Sequence, residues 1–264
     1  MIIDFHTHIF PERIAEKALP MLSRASGGVN PCGNATADGM LEIMDSAGVD
    51  KAVILNIATN PHQQKSVNDF AISFVGNERI IPFGSVHPDS EDALEELERL
   101  KENGIKGVKL HPDYQKFFVD EDRMLPIYEK IAELGLICVF HSGIDIGYPE
   151  PVHCTPERLK RVLKSFGSSP VVAAHLGGYL MFEEVLKHFT GTGVYIDTSF
   201  SYGTVPPDFA KEIISSIGAD RVLFGTDMPW SSPENELRFI DSLGLDADSK
   251  EKILSDNAKR LLGI

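Results

Sequence analysis

Met1-Ile2-Ile3-Asp4-Phe5-His6-Thr7-His8 opens the chain with an apolar run ending in two histidines one residue apart. In a β-strand, residues i and i+2 leave the same face, so His6 and His8 are expected to point the same way, with Asp4 one step deeper. Two imidazoles side by side at a strand end make half of a transition-metal site. The other half must then come from strand ends that the fold gathers around this one.

Working outward, short apolar or β-branched runs recur at residues 1–5, 51–57, 80–86, 107–110, 136–140, 170–174, 194–197 and 221–224. Runs this short and this continuously apolar suit parallel strands buried on both faces. Segments with 3.6-residue periodicity lie between them. The clearest is 90–103, where Ala93, Leu94, Leu97 and Leu100 form a stripe and Gly104 a stop signal. Residues 126–134, 155–166, 182–189, 206–217 and 233–243 follow the same logic, and Thr155-Pro156 has the form of an N-cap with proline at the first helical position. Eight strand–helix units without a linker predict an α/β fold, a single (β/α)8 TIM-barrel domain over residues 1–264 with its site at the C-terminal strand ends. A doubly wound open sheet is the alternative, but no glycine-rich phosphate loop follows the first strand. Residues 25–34 are expected to cross the barrel mouth, and 250–264 to form a terminal helix packed outside.

The 264 residues fit one barrel, and 42% apolar with 24% charged residues is an ordinary globular composition. A formal net charge of −14 disfavours nucleic acid or an anionic membrane as partner. It leaves room for an acidic small molecule, because a bound cation reverses the local field. Cys32, Cys138 and Cys154 have no CxxC spacing and read as reduced thiols. With no leader-like segment and no apolar run of ~20 residues, a cytoplasmic location is expected.

The predicted strand ends carry polar side chains repeatedly. His87 follows strand 3; Lys109 and His111 end strand 4; His141, His175 and Asp227 end strands 5, 6 and 8. A lone histidine there is ordinarily structural, and an aspartate before proline is ordinarily a turn former. Ligand-type side chains at five strand ends of one barrel face point instead to a catalytic metal.

The motifs Asp4-Phe5-His6-Thr7-His8, Ser85-Val86-His87-Pro88, Phe140-His141-Ser142-Gly143, Ala174-His175-Leu176-Gly177-Gly178 and Gly225-Thr226-Asp227-Met228-Pro229, with a closing Asn257-Ala258-Lys259-Arg260-Leu261-Leu262-Gly263, run through the whole chain in order. Together they resemble the amidohydrolase superfamily of metal-dependent TIM-barrel hydrolases. More narrowly they resemble its family 2, which holds aminocarboxymuconate-semialdehyde decarboxylase and related decarboxylases beside hydrolases. The resemblance implies that His6, His8, His141 and Asp227 bind one divalent metal ion, zinc first and manganese as the alternative. It implies that His175 is the general acid/base and that Asp227 doubles as base for a metal-activated water. Hydrolysis of a small cyclic amide, lactone or ester is the leading expectation, and decarboxylation of an aromatic or unsaturated acid the alternative. A metal-dependent nuclease or phosphoesterase fits less well, since Lys109 and His111 stand where a glutamate would be expected and the chain is acidic.

In binuclear relatives a strand 4 lysine is carbamylated, but substrate contact or an ion pair is the preferred role for Lys109. His87 and His111 divide evenly between pocket lining and support of the ligands. Phe10, Tyr114, Phe117, Phe118, Tyr148, Phe200, Tyr202 and Trp230 follow strand ends as candidates for a flat pocket, although ordinary loop packing is the default for each. Arg13, Arg24, His62, His153 and His188 read as surface residues. The expected partner is a small-molecule substrate, with a homodimer suggested by the resemblance.

Overall fold

The computed structural model describes residues 1–148 and 150–264. Eight short strands alternate with helices: β1 (Ile3–Thr7), β2 (Lys51–Leu55), β3 (Ile80–Phe83), β4 (Gly107–Leu110), β5 (Ile137–Phe140), β6 (Val171–Ala173), β7 (Tyr195–Asp197) and β8 (Val222–Leu223). All paired strands are parallel and follow sequence order, in one ladder of β1 to β3 and another of β4 to β8. Backbone hydrogen bonds join the ladders at both seams. Lys109 N donates to Gly84 O at 2.8 Å between β3 and β4; Phe5 N donates to Phe224 O and Asp227 N to His6 O, each at 2.8 Å, between β8 and β1. This is the expected (β/α)8 TIM barrel.

Alternate residues of different strands meet inside it. Ile3, Phe5, Val53, Leu55, Phe83, Val139, Val172 and Leu223 form one buried cluster, with the Phe5 and Phe83 rings edge-on at 5.8 Å. A larger cluster fills the space between strands and outer helices, including Leu97 and Leu100 from the predicted stripe. Thr155 caps the helix Pro156–Val162 by accepting from Arg158 N at 3.2 Å, as its sequence suggests.

Two expectations change. The terminal segment is not simply packed outside: a π-helical turn at Lys252–Asp256 redirects it, and Ala258 and Leu262 join the interior cluster. Asn257 Nδ2 holds that turn by donating to Ala219 O and Val222 O, both at 2.7 Å. The chain between β1 and β2 also forms two helices, Glu12–Ala25 and Ala37–Ala47, that the periodicity does not single out. The first brings Leu22, and the following loop brings Ser26 and Val29, over the barrel mouth. No helix among the described residues is long and apolar enough to cross a membrane.

Candidate metal centre

His6 lies inside β1 and His8 just beyond it, while Asp227 stands four residues past the end of β8. A register shift between Asp4 and Thr7 breaks the strict alternation of β1. Asp4 therefore does not line the cavity with the histidines; it turns to the last strand, accepting from Thr226 N at 3.0 Å and Thr226 Oγ1 at 2.6 Å. Burial pushes its pKa up to about 7. The two histidines still converge. Their Nε2 atoms are 3.2 Å apart, and each lies 3.2–3.3 Å from Asp227 Oδ1. Gly225 makes this approach sterically open, since a Cβ there would come within 2.9 Å of His6 Cβ.

Hydrogen bonding identifies which nitrogens carry protons. His8 Nδ1 faces Leu55 O at 2.8 Å, and a carbonyl only accepts, so Nδ1 is the donor. His6 Nδ1 likewise faces Asp197 Oδ2 at 2.8 Å. Burial, and next the charge of Lys109, lowers the His6 pKa to about 3 and keeps that ring neutral. Burial alone would raise Asp227, but the His8 hydrogen bond and the imidazoles of His6 and His175 outweigh it and hold the carboxyl at about 2. His6 Nε2, His8 Nε2 and Asp227 Oδ1 thus converge across one short gap.

Behind His6, the carboxylate of Asp197 at the end of β7 is fully buried. Its Oδ1 accepts from His175 N at 2.9 Å, from Ser199 N at 3.1 Å and from Ser199 Oγ. Burial opposes its ionisation, yet His6, His175 and Ser199 together keep it below the usual carboxylate range. His175 Nδ1 lies 2.9 Å from Ser199 Oγ, and its Nε2 lies 3.1 Å from His141 Nδ1. Both His175 and Asp227 have left-handed backbone, with φ of 59° and 68°. Residues held there cost free energy and persist at sites where the side-chain direction matters.

Lys109 Nζ is 3.4 Å from His6 Nε2, and burial lowers its pKa to about 8 despite the attraction of Asp197 and Asp227. Across the cavity His111 stacks on His141, with centroids 4.2 Å apart and planes within 8°. His111 Nε2 is 3.3 Å from Asp145 Oδ2, so His111, His141 and Asp145 also cluster. Parallel stacked rings cannot both aim in-plane lone pairs at one ion about 2.0–2.1 Å away. The His6 and His8 planes, at 71°, can.

The predicted residues are therefore distributed unevenly. His6, His8 and Asp227 form one tight group, with His175 beside His6 at a ring-centroid distance of 5.1 Å. His141 lines the same cavity but faces His175 and Asp145. Its Nε2 is buried and has no hydrogen-bond partner among the described residues. Lys109, His111, Phe10, Tyr114, Phe200 and Trp230 also line the cavity. His87 does not; its Nδ1 accepts from Asp89 N within its own loop. Phe117 is in the core, Phe118 stacks on His153, and Tyr148 and Tyr202 are exposed. His153 is not a free surface group, since its Nδ1 bonds Asp113 Oδ1 at 2.8 Å. Sequence reasoning misses Asp197 and Ser199. Asp197 reads there only as the end of strand 7, although the strand-end rule that selects the histidines applies equally to it.

The donor set fits a divalent cation. A tetrahedral ion with bonds of about 2.0–2.1 Å separates its ligand atoms by roughly 3.3 Å, matching the His6, His8 and Asp227 spacings. The unpartnered His141 Nε2 offers a further donor on the same cavity.

The sequence matches the amidohydrolase family (Amidohydro_2) over residues 3–264. None of the curated proteins matches it. Among solved structures it is similar to an uncharacterised TIM-barrel protein from Bordetella bronchiseptica, at 26% identity and TM-score 0.80, covering 99% of this chain and 98% of that one. A dihydroxybenzoic acid decarboxylase from Polaromonas, with bound manganese and the inhibitor 2-nitroresorcinol, is similar at 17% identity and TM-score 0.73, covering 99% and 96%. A putative 2-pyrone-4,6-dicarboxylic acid hydrolase from Pseudomonas putida is similar at 18% identity and TM-score 0.69, covering 99% and 97%.

Proposed function

Because this chain belongs to the amidohydrolase family, we propose that it is a metal-dependent hydrolase of a small carbonyl compound, a lactone, cyclic amide or ester. The observation that carries this reading is the convergence of His6 Nε2, His8 Nε2 and Asp227 Oδ1 within 3.2–3.3 Å of one another. Three ligand-type atoms at this spacing suit a shared divalent cation. His6, His8 and Asp227 would hold the ion, with His141 as fourth donor. The bound ion supplies Lewis acidity, polarising a carbonyl oxygen and making water acidic.

The surrounding side chains favour removal of a proton over delivery of one. Burial lowers the pKa of His175, so this imidazole stays neutral at pH 7 and enters as a base. Asp227 stays ionised and orients what lies beside it. Hydrolysis needs a base for water and afterwards returns the proton to the leaving group, which His175 would do from Nε2 by exchanging its contact with His141 Nδ1 for the substrate water. The walls from Phe10, Leu22, Val29, Ile57, Ile144 and Trp230 exclude water and suit an apolar substrate body.

Decarboxylation is the second reading, favoured by Lys109. Among the described residues it is the one lysine or arginine lining the cavity, and it lies 3.4 Å from His6 Nε2. It could attract a substrate carboxylate there, and the named decarboxylase shares the fold.

The test is turnover of metal-loaded protein on lactones, cyclic amides, esters and aromatic acids, with ring opening and carbon dioxide followed in parallel. Ring opening without carbon dioxide is expected, and the reverse pattern selects the second reading. His175→Asn should lower kcat by about 10²–10⁴ while metal content stays unchanged. Loss of the metal in that variant would remove His175 from the base role.

A further inference from the structure

We infer that Ser199, held by Asp197, is a positioning residue that fixes the ring tautomers of His175 and His141, leaving His141 Nε2 as a bare lone pair. One hydrogen-bond chain carries the assignment. Ser199 has a single hydroxyl proton, and its close contact with Asp197 Oδ1 commits that proton to the carboxylate. Ser199 Oγ must then accept from His175 Nδ1, 2.9 Å away. The backbone agrees, because Ser199 O, which only accepts, lies 3.3 Å from the same nitrogen. With its proton on Nδ1, neutral His175 has an unprotonated Nε2. The 3.1 Å contact to His141 therefore runs from His141 Nδ1–H to His175 Nε2. Neutral His141 then has no proton on Nε2, the atom buried without a partner among the described residues.

Asp197 links this chain to the other histidines, since its second oxygen accepts from His6 Nδ1 at 2.8 Å. Ser199 Oγ is also 3.1 Å from that nitrogen. One carboxylate thereby biases three imidazoles toward the Nδ1–H form and turns their Nε2 atoms away from it. Neither Asp197 nor Ser199 lines the cavity, so both act through the rings. The consequence for metal binding rests on the proposed function, whereas the tautomers do not.

Selective ¹⁵N labelling of histidine in metal-free protein reads the tautomers directly. His6, His175 and His141 should each show a protonated Nδ1 and an unprotonated Nε2. A protonated Nε2 on His175 or His141 in the native protein would overturn the inference without any variant. In Ser199→Ala only the longer carbonyl contact remains, so His175 and His141 should shift to a mixture of both forms, while Ser199→Thr, which keeps the hydroxyl, should restore the native pattern. An unchanged pattern in Ser199→Ala also overturns it. Zinc and manganese titrations of the same proteins give the second readout. Loss of an outer hydrogen-bond partner weakens metal binding about 10–100-fold, expected for Ser199→Ala and not for Ser199→Thr. If native protein with the expected tautomers binds neither ion, the relay stands and the metal reading falls.

Discussion

Replacing Gly143 by alanine tests the approach between the loops that carry His141 and His175. Gly143 has φ of +87°, and a Cβ there would lie 2.2 Å from Tyr179 N, 2.5 Å from Gly178 C and 2.5 Å from Tyr179 O. These are backbone atoms and cannot swing aside as a side chain would. They are also tied down: Tyr179 N donates to Ser142 O at 2.9 Å, Ile144 N to Tyr179 O at 3.0 Å and Gly143 N to Cys154 O at 2.8 Å. The left-handed backbone costs an L-residue about 1–2 kcal/mol, and forcing atoms into a packed site adds about 1–3 kcal/mol. Gly135 supplies the control, with φ of +62° and nothing within 4 Å of the place a Cβ would take. Gly135→Ala carries only the backbone cost. The two variants should therefore differ by about 1–3 kcal/mol, equivalent to roughly 2–12 °C in melting temperature for a protein of this size. Scanning calorimetry of both beside the parent measures that difference. Gly143→Ala should also lose activity, because the inserted methyl separates the two imidazoles. Equal melting temperatures for the two variants would refute the close-approach argument.

Further outcomes follow from the same geometry. Chelator-stripped protein should gain thermal stability from zinc or manganese: free ion at 100 times its Kd contributes about 2.7 kcal/mol, or roughly 5–11 °C, and His6→Ala should abolish the response. A flat melting curve across both ions in the native protein would count against the site. Glu236 is fully buried, accepts from Ser201 N, Tyr202 N and Ser231 Oγ, and is pushed by burial up to about 8. The folded state then holds a proton that the unfolded state has released, so this residue lowers stability as pH rises from about 4.5 to about 8. Glu236→Gln should flatten that slope in urea unfolding measured at pH 5, 6.5 and 8, and a slope equal to the parent's would contradict the assignment.

Much of the barrel is legible in the sequence because parallel strands buried on both faces must be continuously apolar, and the helices between them must alternate in a 3.6-residue period. The histidines at strand ends are legible for a related reason: imidazole is costly to place at the tip of a buried strand without a partner. Asp197 hides behind the same regularity, being the polar last residue of an apolar run and so read as strand. Ser199 has no signal of its own, since a serine in a loop looks alike whether or not it bridges two imidazoles. The π-helical turn at Lys252–Asp256 is invisible because it depends on Asn257 meeting two carbonyls far away in sequence. The divergence of His141 from the tight group of His6, His8 and Asp227 likewise arises from packing, through its stack on His111.

The seam between β8 and β1 gives the centre a place in time as well as in space. His6 and His8 leave the ribosome long before Asp227, whose backbone N closes the seam by donating to His6 O. A nascent chain that has not reached β8 has both imidazoles and no carboxylate opposite them. On the proposed function, tight binding of the ion would wait until the last strand docks and would report a closed barrel.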